Sequence, residues 1–556
     1  MDVQLRSPER LCLDGQTFDV LVIGGGINGV AIARECARSK KRVALVEQND
    51  FASGTTSRST RIIHGGLRYL EHGEVGLVRE SLRERDRLLR RYPNLVRPAQ
   101  FLLALTNDQR SLLRSSLAIR TGLWLYHRWA GGPQNIWPDP HVFERQLDGG
   151  HSWSVYSYED AQCEFPERLV SEWLAEAVTD GATACNYTQV LEILCQSGRV
   201  TGTRLRDTIS GRESQVSATQ VVNASGPWAD FVLGRSRLQS RRLVGGVRGS
   251  HIVLPQFAGG PNAAVYTEAL DGRPFFVIPW NHQVLVGTTE VTDSDDPGSV
   301  QPAESELDYL FASFSRLFSN SGLTKADVRY TFAGVRSLPY ASGEKLSAVT
   351  RKHIIYDHQE EGAAGLFSIV GGKLTTAMSL AREAARKLGI PVLEPVNVLA
   401  APAPANGIES TLAQWAHLVA CKAQIPESSA HAIAAWHGRR ALAIARTASL
   451  HENLRAPLCS HSEHIVAEAV EAVMHESAVT LADVLLRRVP VALGPCWSVS
   501  CSLEAATRIG AALSWDQSHI HNELERFEAE RERFLHPKHR EQTTGDKLQI
   551  SSQVSQ

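Results

Sequence analysis

The sequence lacks the features that define several classes of protein. No run of about 18 uncharged apolar residues occurs, so no membrane-spanning helix is expected. The N-terminal residues also lack the apolar core of a secretory signal. The nine cysteines are irregularly spaced and form no C-x-x-C pair, which argues against a disulfide framework and a structural zinc site. We therefore assign no metal ligands and expect a reducing compartment.

The chain also has no large excess of positive or negative charge. The net charge of −2 provides no general basic field that would hold nucleic acid, so no nucleic-acid partner is expected. Apolar residues make up 43% and charged residues 21% of the 556 residues. This balance is that of a globular protein and excludes a disordered or collagen-like chain. The length predicts two to four domains, at roughly 150 residues each.

The N-terminal region has the pattern of a β-α-β unit. Residues 18–23 read as a buried strand that ends in glycines, 27–39 as a helix and 42–47 as a second strand. Such a unit indicates a parallel sheet. Further strands are predicted at 219–226, 284–287 and 366–370.

The C-terminal part has a different composition. Four prolines between about 391 and 408 indicate a linker. Residues 405–536 are rich in Ala, Leu, Glu and Arg at helical spacing, which predicts a separate all-helical domain. The polar residues 537–556 are predicted to form a disordered tail.

The glycine-rich segment after the first strand matches the G-x-G-x-x-G pattern through Gly24, Gly26 and Gly29. It opens the predicted helix, and Glu47 follows 18 residues after Gly29 at the end of the next strand. In dinucleotide-binding folds such glycines allow a tight turn, close approach of a pyrophosphate and helix–strand packing, while the acid binds a ribose. The alternative is a glycine-rich turn without a ligand.

Several longer motifs are more specific than the glycine pattern. They are TSRSTRIIHGGLRYLE at 56–71, VVNASGPW at 221–228, GSHI at 249–252, FAGVR at 332–336, GGKLTT at 371–376 and AVTLADVLLRR at 478–488. In this order, and over about 18–535, the chain closely resembles the FAD-dependent glycerol-3-phosphate dehydrogenases. The pattern of glycines alone does not distinguish FAD from NAD, and the resemblance indicates FAD.

The resemblance implies an α/β fold with three parts. A Rossmann-like FAD-binding domain over 18–395 would contain an inserted antiparallel-sheet substrate domain, built mainly from 100–170 and 240–340. The all-helical domain at 405–536 would follow. The implied reaction is oxidation of sn-glycerol 3-phosphate to dihydroxyacetone phosphate by hydride transfer from C2 to N5 of FAD, with electrons passed to a membrane quinone.

The resemblance also implies roles for particular residues. His251 is the first candidate for the general base and His64 the second, and Arg336 could hold substrate or stabilise a developing alkoxide. Arg68, Tyr69 and Lys373 are assigned to the substrate phosphate. The residues assigned to the cofactor are Gly24, Gly26, Asn28, Gly29, Glu47, Ser59, Ala224, Gly226, Gly371 and Gly372. The alternative for each cation is a solvated surface charge, and for each histidine a structural role.

Two positions depart from the family pattern. Ser337 and Leu338 precede Pro339, where the family usually has proline directly after the arginine, and Ala377-Met378 stand where a tyrosine and an arginine are frequent. These departures leave open a longer polyol phosphate, such as erythritol 4-phosphate, as the substrate. An oxidase that reduces oxygen and an FAD-binding scaffold without turnover are further alternatives.

A basic stretch lies between residues 79 and 128, with eleven arginines and four acids. Within it, 110–130 reads as a helix with Leu112, Ile119, Leu123 and Tyr126 on one face and arginines opposite. Aromatic residues and arginines suit an anionic membrane surface. We therefore expect a cytoplasmic protein that is peripheral on the inner face of the membrane. Two alternatives for this segment stay open, namely a core helix with a solvated arginine face and contact with the C-terminal domain. A homodimer is also possible from the sequence.

Overall fold

The structure is a computed structural model of the chain. It describes residues 13–67, 73–106, 116–131, 135–236, 240–293, 295–341, 349–393 and 407–536, together with residues 238, 538 and 539. Arg68, Tyr69, most of the predicted linker and nearly all of the predicted tail lie outside these residues.

The strands fall into two sheets. In chain order they are β1 (Thr17–Ile23), β2 (Val43–Val46), β3 (Ile62–Ile63), β4 (Val96–Thr106), β5 (Trp153–Cys163), β6 (Thr183–Cys185), β7 (Thr188–Gln196), β8 (Arg199–Asp207), β9 (Glu213–Asn223), β10 (Val244–Pro255), β11 (Ala264–Glu268), β12 (Pro274–Trp280), β13 (Gln283–Gly287), β14 (Val291–Thr292), β15 (Tyr330–Pro339), β16 (Ile354–Asp357) and β17 (Leu366–Val370).

The helices, in the same order, are α1 (Ile27–Arg38), α2 (Val75–Arg91), α3 (Ser116–Trp129), α4 (Pro140–Glu144), α5 (Pro166–Thr179), α6 (Ala229–Arg235), α7 (Glu304–Leu317), α8 (Ala377–Lys387), α9 (Gly407–Ala423), α10 (Glu427–His437), α11 (Ala441–Ala448), α12 (Val466–His475), α13 (Leu481–Asp483), α14 (Val499–Leu513) and α15 (Gln517–Glu532). A π-helical turn, Val484–Arg488, continues α13.

The first sheet has a parallel centre, in the order β16-β17-β9-β1-β2-β6. β1 pairs in parallel with both β2 and β9, and β9 pairs in parallel with β17. The apolar run of β1 is almost wholly buried. Side chains of α1, α5 and α8 pack in one apolar core with side chains from one face of this strand. The predicted β-α-β unit and its parallel sheet are confirmed.

The second sheet is formed by β3 to β5 and β10 to β15, in the order β14-β10-β13-β12-β11-β4-β5-β3 with β15 beside β10. Its pairings are antiparallel except for β4 with β11, which run parallel. The predicted fold class, an α/β FAD-binding domain with an inserted antiparallel sheet and a C-terminal helical region, is confirmed.

The C-terminal helices pack tightly against the rest of the molecule. Their buried side chains, such as Leu412 and Ile433, belong to one continuous apolar cluster with Phe101 and Ile278 of the second sheet. Asp50, just after β2, is buried and accepts hydrogen bonds from both Arg487 and Arg488 at 2.5–2.7 Å. The helical region therefore forms a shared core with the second sheet and an ionic contact with the first.

Helix α3 lies within the predicted amphipathic segment 110–130. Leu123 and Tyr126, which the sequence places on the apolar face, are buried in the core. The exposed side of α3 carries Leu117, Trp124 and Arg128. The predicted apolar face is therefore a core face, and any membrane contact would have to use the opposite side. Arg110, Leu112 and Arg114 lie outside the described residues.

Many of the arginines in the basic stretch are engaged in ion pairs. Arg85 contacts the buried Asp160 at 2.9 Å, and Arg91 contacts Glu176 at 3.1 Å. Arg97 reaches Glu409 of α9 at 3.2 Å, which agrees with the alternative that this stretch contacts the C-terminal region. Part of the local positive charge is thus neutralised within the fold. Within the described residues, no helix has both the length and the apolarity needed to cross a membrane.

Candidate functional site

A cavity of about 770 Å³ opens between the two sheets and the C-terminal helices. Its wall includes the residues after β1 and β2, the 52–64 segment, the middle of β10, the middle of β15 and the turn after β17. Of the residues that the sequence assigns to the cofactor, the substrate or catalysis, the wall contains Gly24, Gly26, Asn28, Glu47, Ser59, His64, Ala224, Gly226, His251, Arg336, Gly371, Gly372 and Lys373. Residues separated by up to 349 positions in sequence are thereby gathered at one site.

The glycine segment has the tight geometry that its pattern predicts. Gly24 has φ +105°, a conformation that other residues rarely adopt, and a Cβ there would lie 2.6 Å from the carbonyl oxygen of Ala224. A Cβ on Gly29 would lie 1.8 Å from the carbonyl oxygen of Gly24, so this glycine allows α1 to pack against the strand end. Gly26 is less restricted, since its Cβ would meet only Thr56 Oγ1 at 3.4 Å. Gly29 therefore shapes the loop without lining the cavity.

Glu47 sits at the end of β2, next to the glycine turn. Its carboxylate accepts hydrogen bonds from the backbone N–H groups of Gly25 at 2.6 Å and Asn49 at 2.9 Å. Burial raises the pKa of Glu47, and these N–H donors oppose the shift. The side chain is held at the cavity edge, where a ribose hydroxyl could donate to it.

Asn28, in the first turn of α1, connects the glycine loop to the turn after β17. Its side-chain amide donates to the carbonyl oxygen of Gly371 at 3.3 Å. Gly372, with φ +99°, lies so close that a Cβ there would be 2.4 Å from Asn28 Nδ2. The pair of glycines thus lets the turn that carries Lys373 approach the N-terminus of α1, where unpaired N–H groups favour an anion.

His251, on β10, is only 2% exposed. Its Nε2 is 3.0 Å from Thr60 Oγ1, and its ring stacks on Phe332 with 5.0 Å between ring centroids. Burial and the nearby charge of Arg336 lower the pKa of His251 to about 3. The imidazole is therefore neutral at pH 7 and held in one orientation, which a proton acceptor requires.

Two cations that the sequence assigns to the site also lie on the cavity wall. Arg336, on β15, donates to Thr288 Oγ1 at 3.1 Å and to the carbonyl oxygen of Thr289 at 3.4 Å. Burial lowers the pKa of Lys373 to about 8, so this ammonium is poorly solvated. An anionic ligand would interact favourably with both groups.

His64, at the end of β3, also lines the cavity. Its backbone N–H donates to Thr375 Oγ1 at 3.2 Å. Burial and the charge of Lys373 lower its pKa to about 4, so it is neutral at pH 7 as well. The structure brings both histidine candidates into one cavity.

The two departures from the family pattern have different surroundings. Ser337 and Leu338 line the cavity, and Ser337 Oγ lies 3.5 Å from the carbonyl oxygen of Gly371. Ala377 is instead fully buried in the core of the first sheet, where Met378 is also packed. Only the change around Ser337 can therefore alter the cavity wall directly.

Part of the wall was not anticipated from the sequence. Arg526, Glu530 and Arg533 of the C-terminal end also line the cavity. Arg58, within the quoted 56–71 motif, lies over the ring of Phe534 at 4.3 Å, and its pKa is lowered to about 10 by burial and the charge of Arg533. The helical pattern near the C-terminal end does not predict the contact between Arg58 and Phe534, because these two residues are more than 470 positions apart in the sequence.

The cavity has unsatisfied polar atoms that indicate a large polar ligand. Asn28 Oδ1, Arg58 Nε and His251 Nδ1 are buried and have no hydrogen-bond partner among the residues that the structure describes. Buried polar atoms are normally satisfied, so such atoms on a cavity wall point to an absent ligand. Together with the glycine turn, the N-terminus of α1 and Glu47, they fit an FAD molecule.

Comparisons with known proteins agree with this fit. Residues 19–387 match the family model described as "FAD dependent oxidoreductase", and residues 398–520 match "C-terminal domain of alpha-glycerophosphate oxidase". The solved structure of the glycerol-3-phosphate dehydrogenase from Bacillus halodurans, complexed with FAD, has a TM-score of 0.72. It is 24% identical and covers 94% of this chain and 96% of that chain, which shows a shared fold.

Two curated relatives are more similar in sequence. A "Glycerol-3-phosphate dehydrogenase" from Synechocystis sp. is 35% identical over 506 residues, which cover 86% of this chain and 90% of that protein. A "D-erythritol 1-phosphate dehydrogenase" from Brucella abortus is 35% identical over 379 residues, covering 67% of this chain and 74% of that protein.

The fold, the site and the matched family model define a flavoprotein, an FAD-dependent oxidoreductase. Within that class, the extent of the similarity assigns the chain more narrowly. It belongs to the FAD-dependent glycerol-3-phosphate dehydrogenase family. The predicted cofactor, FAD, is thereby confirmed.

Proposed function

We propose that this protein oxidises sn-glycerol 3-phosphate to dihydroxyacetone phosphate and passes the electrons to a membrane quinone. The observation that carries the proposal is the single cavity that combines the glycine turn with a neutral buried imidazole and two cations, Arg336 and Lys373. Family membership over most of the chain supports the same reaction.

The phosphate of the substrate needs fixed positive charge. Lys373 is poorly solvated, and a phosphate dianion beside it would interact favourably with the ammonium. Arg336 adds a planar donor that can hold a second oxygen of the substrate. Arg68 and Tyr69, which the sequence assigns to the phosphate, lie outside the described residues, and their roles stay predictions.

The C2 hydroxyl needs a proton acceptor while its carbon is oxidised. We assign this role to His251, because its ring is neutral and is fixed by Thr60 and Phe332. Arg336, near the same ring, can stabilise negative charge on the oxygen as the proton leaves. His64 is the second candidate for the base.

FAD, when bound, supplies the hydride-accepting N5 atom and hence the redox chemistry. We assign its pyrophosphate to the N-terminus of α1 at Gly26 and its adenosine ribose to Glu47. Ser59, Ala224 and Gly226 would line its path across the cavity.

A longer polyol phosphate is the second candidate substrate. The relative from Brucella abortus, a D-erythritol 1-phosphate dehydrogenase, has the same percentage identity to this chain as the one from Synechocystis. Ser337 stands on the cavity wall at the position that departs from the family pattern, so it can change the room for the substrate chain.

The quinone acceptor implies contact with a membrane. The exposed side of α3 presents Leu117, which is 77% exposed, and Trp124, which is 63% exposed, beside Arg120 and Arg128. Apolar and basic side chains on one exposed face suit the surface of an anionic bilayer. We propose that this side of α3 lies against the inner face of the cell membrane.

The test of the reaction is anaerobic bleaching of the flavin absorbance in the purified FAD-loaded protein. We expect rapid bleaching by sn-glycerol 3-phosphate and none by glycerol, since glycerol lacks the phosphate. Faster bleaching by D-erythritol 1-phosphate would favour the second substrate. No bleaching by any polyol phosphate would contradict the dehydrogenase proposal and leave the scaffold alternative. Reoxidation by a quinone analogue, compared with oxygen, distinguishes a dehydrogenase from an oxidase.

A matched pair of lysine variants tests the phosphate site. Lys373→Met should raise KM for sn-glycerol 3-phosphate by about 10–100-fold, because a hydrogen bond to a charged group contributes about 1.5–3 kcal/mol. Lys387→Met, at the exposed end of α8, should leave KM unchanged. Equal KM values for the two variants would remove Lys373 from the phosphate site.

A further inference from the structure

A second cluster of reactive side chains lies in the C-terminal region, in a part of the chain to which we have assigned no role. Cys459 and His461 stand on a tight turn in which Ser462 N donates to the carbonyl oxygen of Cys459 at 3.0 Å. Leu458 N donates to the carbonyl oxygen of His464 at 2.7 Å, so the two arms of the turn are paired. The turn therefore presents a thiol and an imidazole that are two residues apart.

A second thiol faces this turn from helix α14. Cys501 lies in the first turn of α14, where its backbone N–H donates to Ser498 Oγ at 3.3 Å. Ser498 Oγ in turn lies 3.4 Å from Cys501 Sγ. Cys501 Sγ is 3.6 Å from His461 Nδ1, which brings a helix and a distant turn together through side chains that commonly bind metals.

The turn and the helix are fixed to each other by contacts that do not involve the cluster. Glu504 of α14 accepts a hydrogen bond from Ser460 N at 2.9 Å, and Arg508 donates to the carbonyl oxygen of Pro457 at 2.7 Å. Arg508 and Glu504 also pair with each other at 3.0 Å. The positions of the three side chains are thus set by the fold on both sides.

The three potential ligand atoms all lie within 4.8 Å of one another. In a tetrahedral site with Zn–S bonds of about 2.3 Å and Zn–N bonds of about 2.0 Å, neighbouring ligand atoms lie about 3.5–3.8 Å apart. The observed 3.6 Å between Cys501 Sγ and His461 Nδ1 is within that range. Two sulfur ligands and one imidazole favour zinc over magnesium or calcium.

We propose that Cys459, His461 and Cys501 bind one zinc ion, which fastens the 457–465 turn to the start of α14. Cys459 and Cys501 would bind as thiolates and His461 as neutral imidazole through Nδ1, so zinc binding releases the two thiol protons to solvent. Because His461 is exposed, we assign the fourth coordination position to a water molecule. The ion closes a loop between positions 459 and 501 and is structural.

The test measures metal in the full-length, FAD-loaded protein after incubation with equimolar zinc and removal of the unbound metal. We expect about one zinc per chain by mass spectrometry of the metal. Cys459→Ser and Cys501→Ser should lose it. Cys195→Ser, at an exposed cysteine on β7, should retain it and serves as the matched control. Zinc absent from the wild type, or retained equally by all three variants, would overturn the proposal.

A second measurement on the wild-type chain covers the case in which the variants do not fold. Cobalt added to the chelator-treated holoprotein should give the d–d absorption bands of a tetrahedral cobalt–thiolate site, in the red region where oxidised flavin does not absorb. Zinc should then abolish these bands. Absence of the bands, or a peptide map showing a Cys459–Cys501 disulfide in the freshly purified protein, would contradict a zinc site.

Discussion

At the scale of single residues, the electrostatics of the cavity determine which groups can exchange protons. His251 is neutral at pH 7 because burial and the charge of Arg336 disfavour its protonated form. Lys373 has the same kind of shift, with its pKa lowered to about 8 by burial. The positive charges of Lys373 and Arg336 on the wall of one cavity suit an anionic substrate.

The coupling between Arg336 and His251 gives a prediction for the pH dependence of catalysis. Arg336→Met removes a positive charge beside the ring, so the pKa of His251 should rise from about 3. Because the base works only when unprotonated, kcat/KM should then begin to fall at a higher pH on the acid side. The measurement is kcat/KM for sn-glycerol 3-phosphate between about pH 4 and 8, because an acid limb set by the wild-type pKa of about 3 lies below this range and only a raised pKa brings the limb into it.

Two controls separate this effect from a general loss of activity. Arg206→Met, at an exposed ion pair on β8, should leave the profile unchanged. His251→Gln should lower kcat, and adding it to Arg336→Met should remove the acid limb, since the titrating group is gone. An Arg336→Met profile that stays the same as the wild-type profile over this range would show that the base is a group not coupled to Arg336.

Residues inside contiguous motifs could be predicted from the sequence, whereas their partners could not. Gly24, Gly26, Glu47 and Lys373 are recognisable because each stands at a fixed place in a local pattern. The contact of Arg58 with Phe534 depends on the whole fold, and no local pattern encodes it. Gly29 shows a further limit, since its role is to admit a backbone carbonyl and not to line the cavity.

At the scale of elements, strands and helices with strong local periodicity agree with the sequence. β1, α1 and β2 match the predicted β-α-β unit because a buried run, a glycine turn and a helix give separate signals. The parallel pairing of β4 with β11 has no such signal, because it joins segments more than 160 residues apart. In helix α3 the amphipathic pattern correctly identifies the buried face, but it does not show what the exposed face contacts.

The exposed side of α3 gives a prediction about membrane binding. Trp124→Glu should weaken binding to vesicles of anionic lipid, because it replaces an interfacial aromatic ring by a charge that such lipid repels. The measurement is co-sedimentation with vesicles that contain phosphatidylglycerol, repeated at high salt. Leu450→Glu, at another exposed leucine in the C-terminal region, is the matched control and should bind as the wild type does. Identical binding of both variants would argue against contact through α3.

At the scale of the whole molecule, the first sheet and the C-terminal region are joined by a buried ionic contact. Burial opposes ionisation of Asp50, yet the guanidinium groups of Arg488 and Arg487 hold its pKa below its usual value. Asp50 also lines the cavity, as does Arg487. This contact therefore contributes to the stability of the chain and also forms part of the wall of the candidate cofactor site.

The ionic contact gives a prediction about stability. Arg488→Met leaves the buried Asp50 with one guanidinium partner, and removal of one member of a buried pair costs about 3–5 kcal/mol. We expect a lower Tm and an increase in free flavin fluorescence at the same temperature, because unfolding and FAD release share this contact. Arg206→Met breaks only an exposed pair and should cost no more than about 1 kcal/mol. A wild-type Tm for Arg488→Met would show that Arg487 alone suffices.

The wall formed by α15 also constrains the order of events during synthesis. Arg526, Glu530 and Arg533 complete the cavity, although the glycine turn leaves the ribosome some 500 residues earlier. A nascent chain that ends before α15 has the strand, the turn and the helix but an open side where the flavin must be enclosed. We therefore expect stable cofactor loading to follow translation, and a message truncated before this helix to yield a colourless polypeptide.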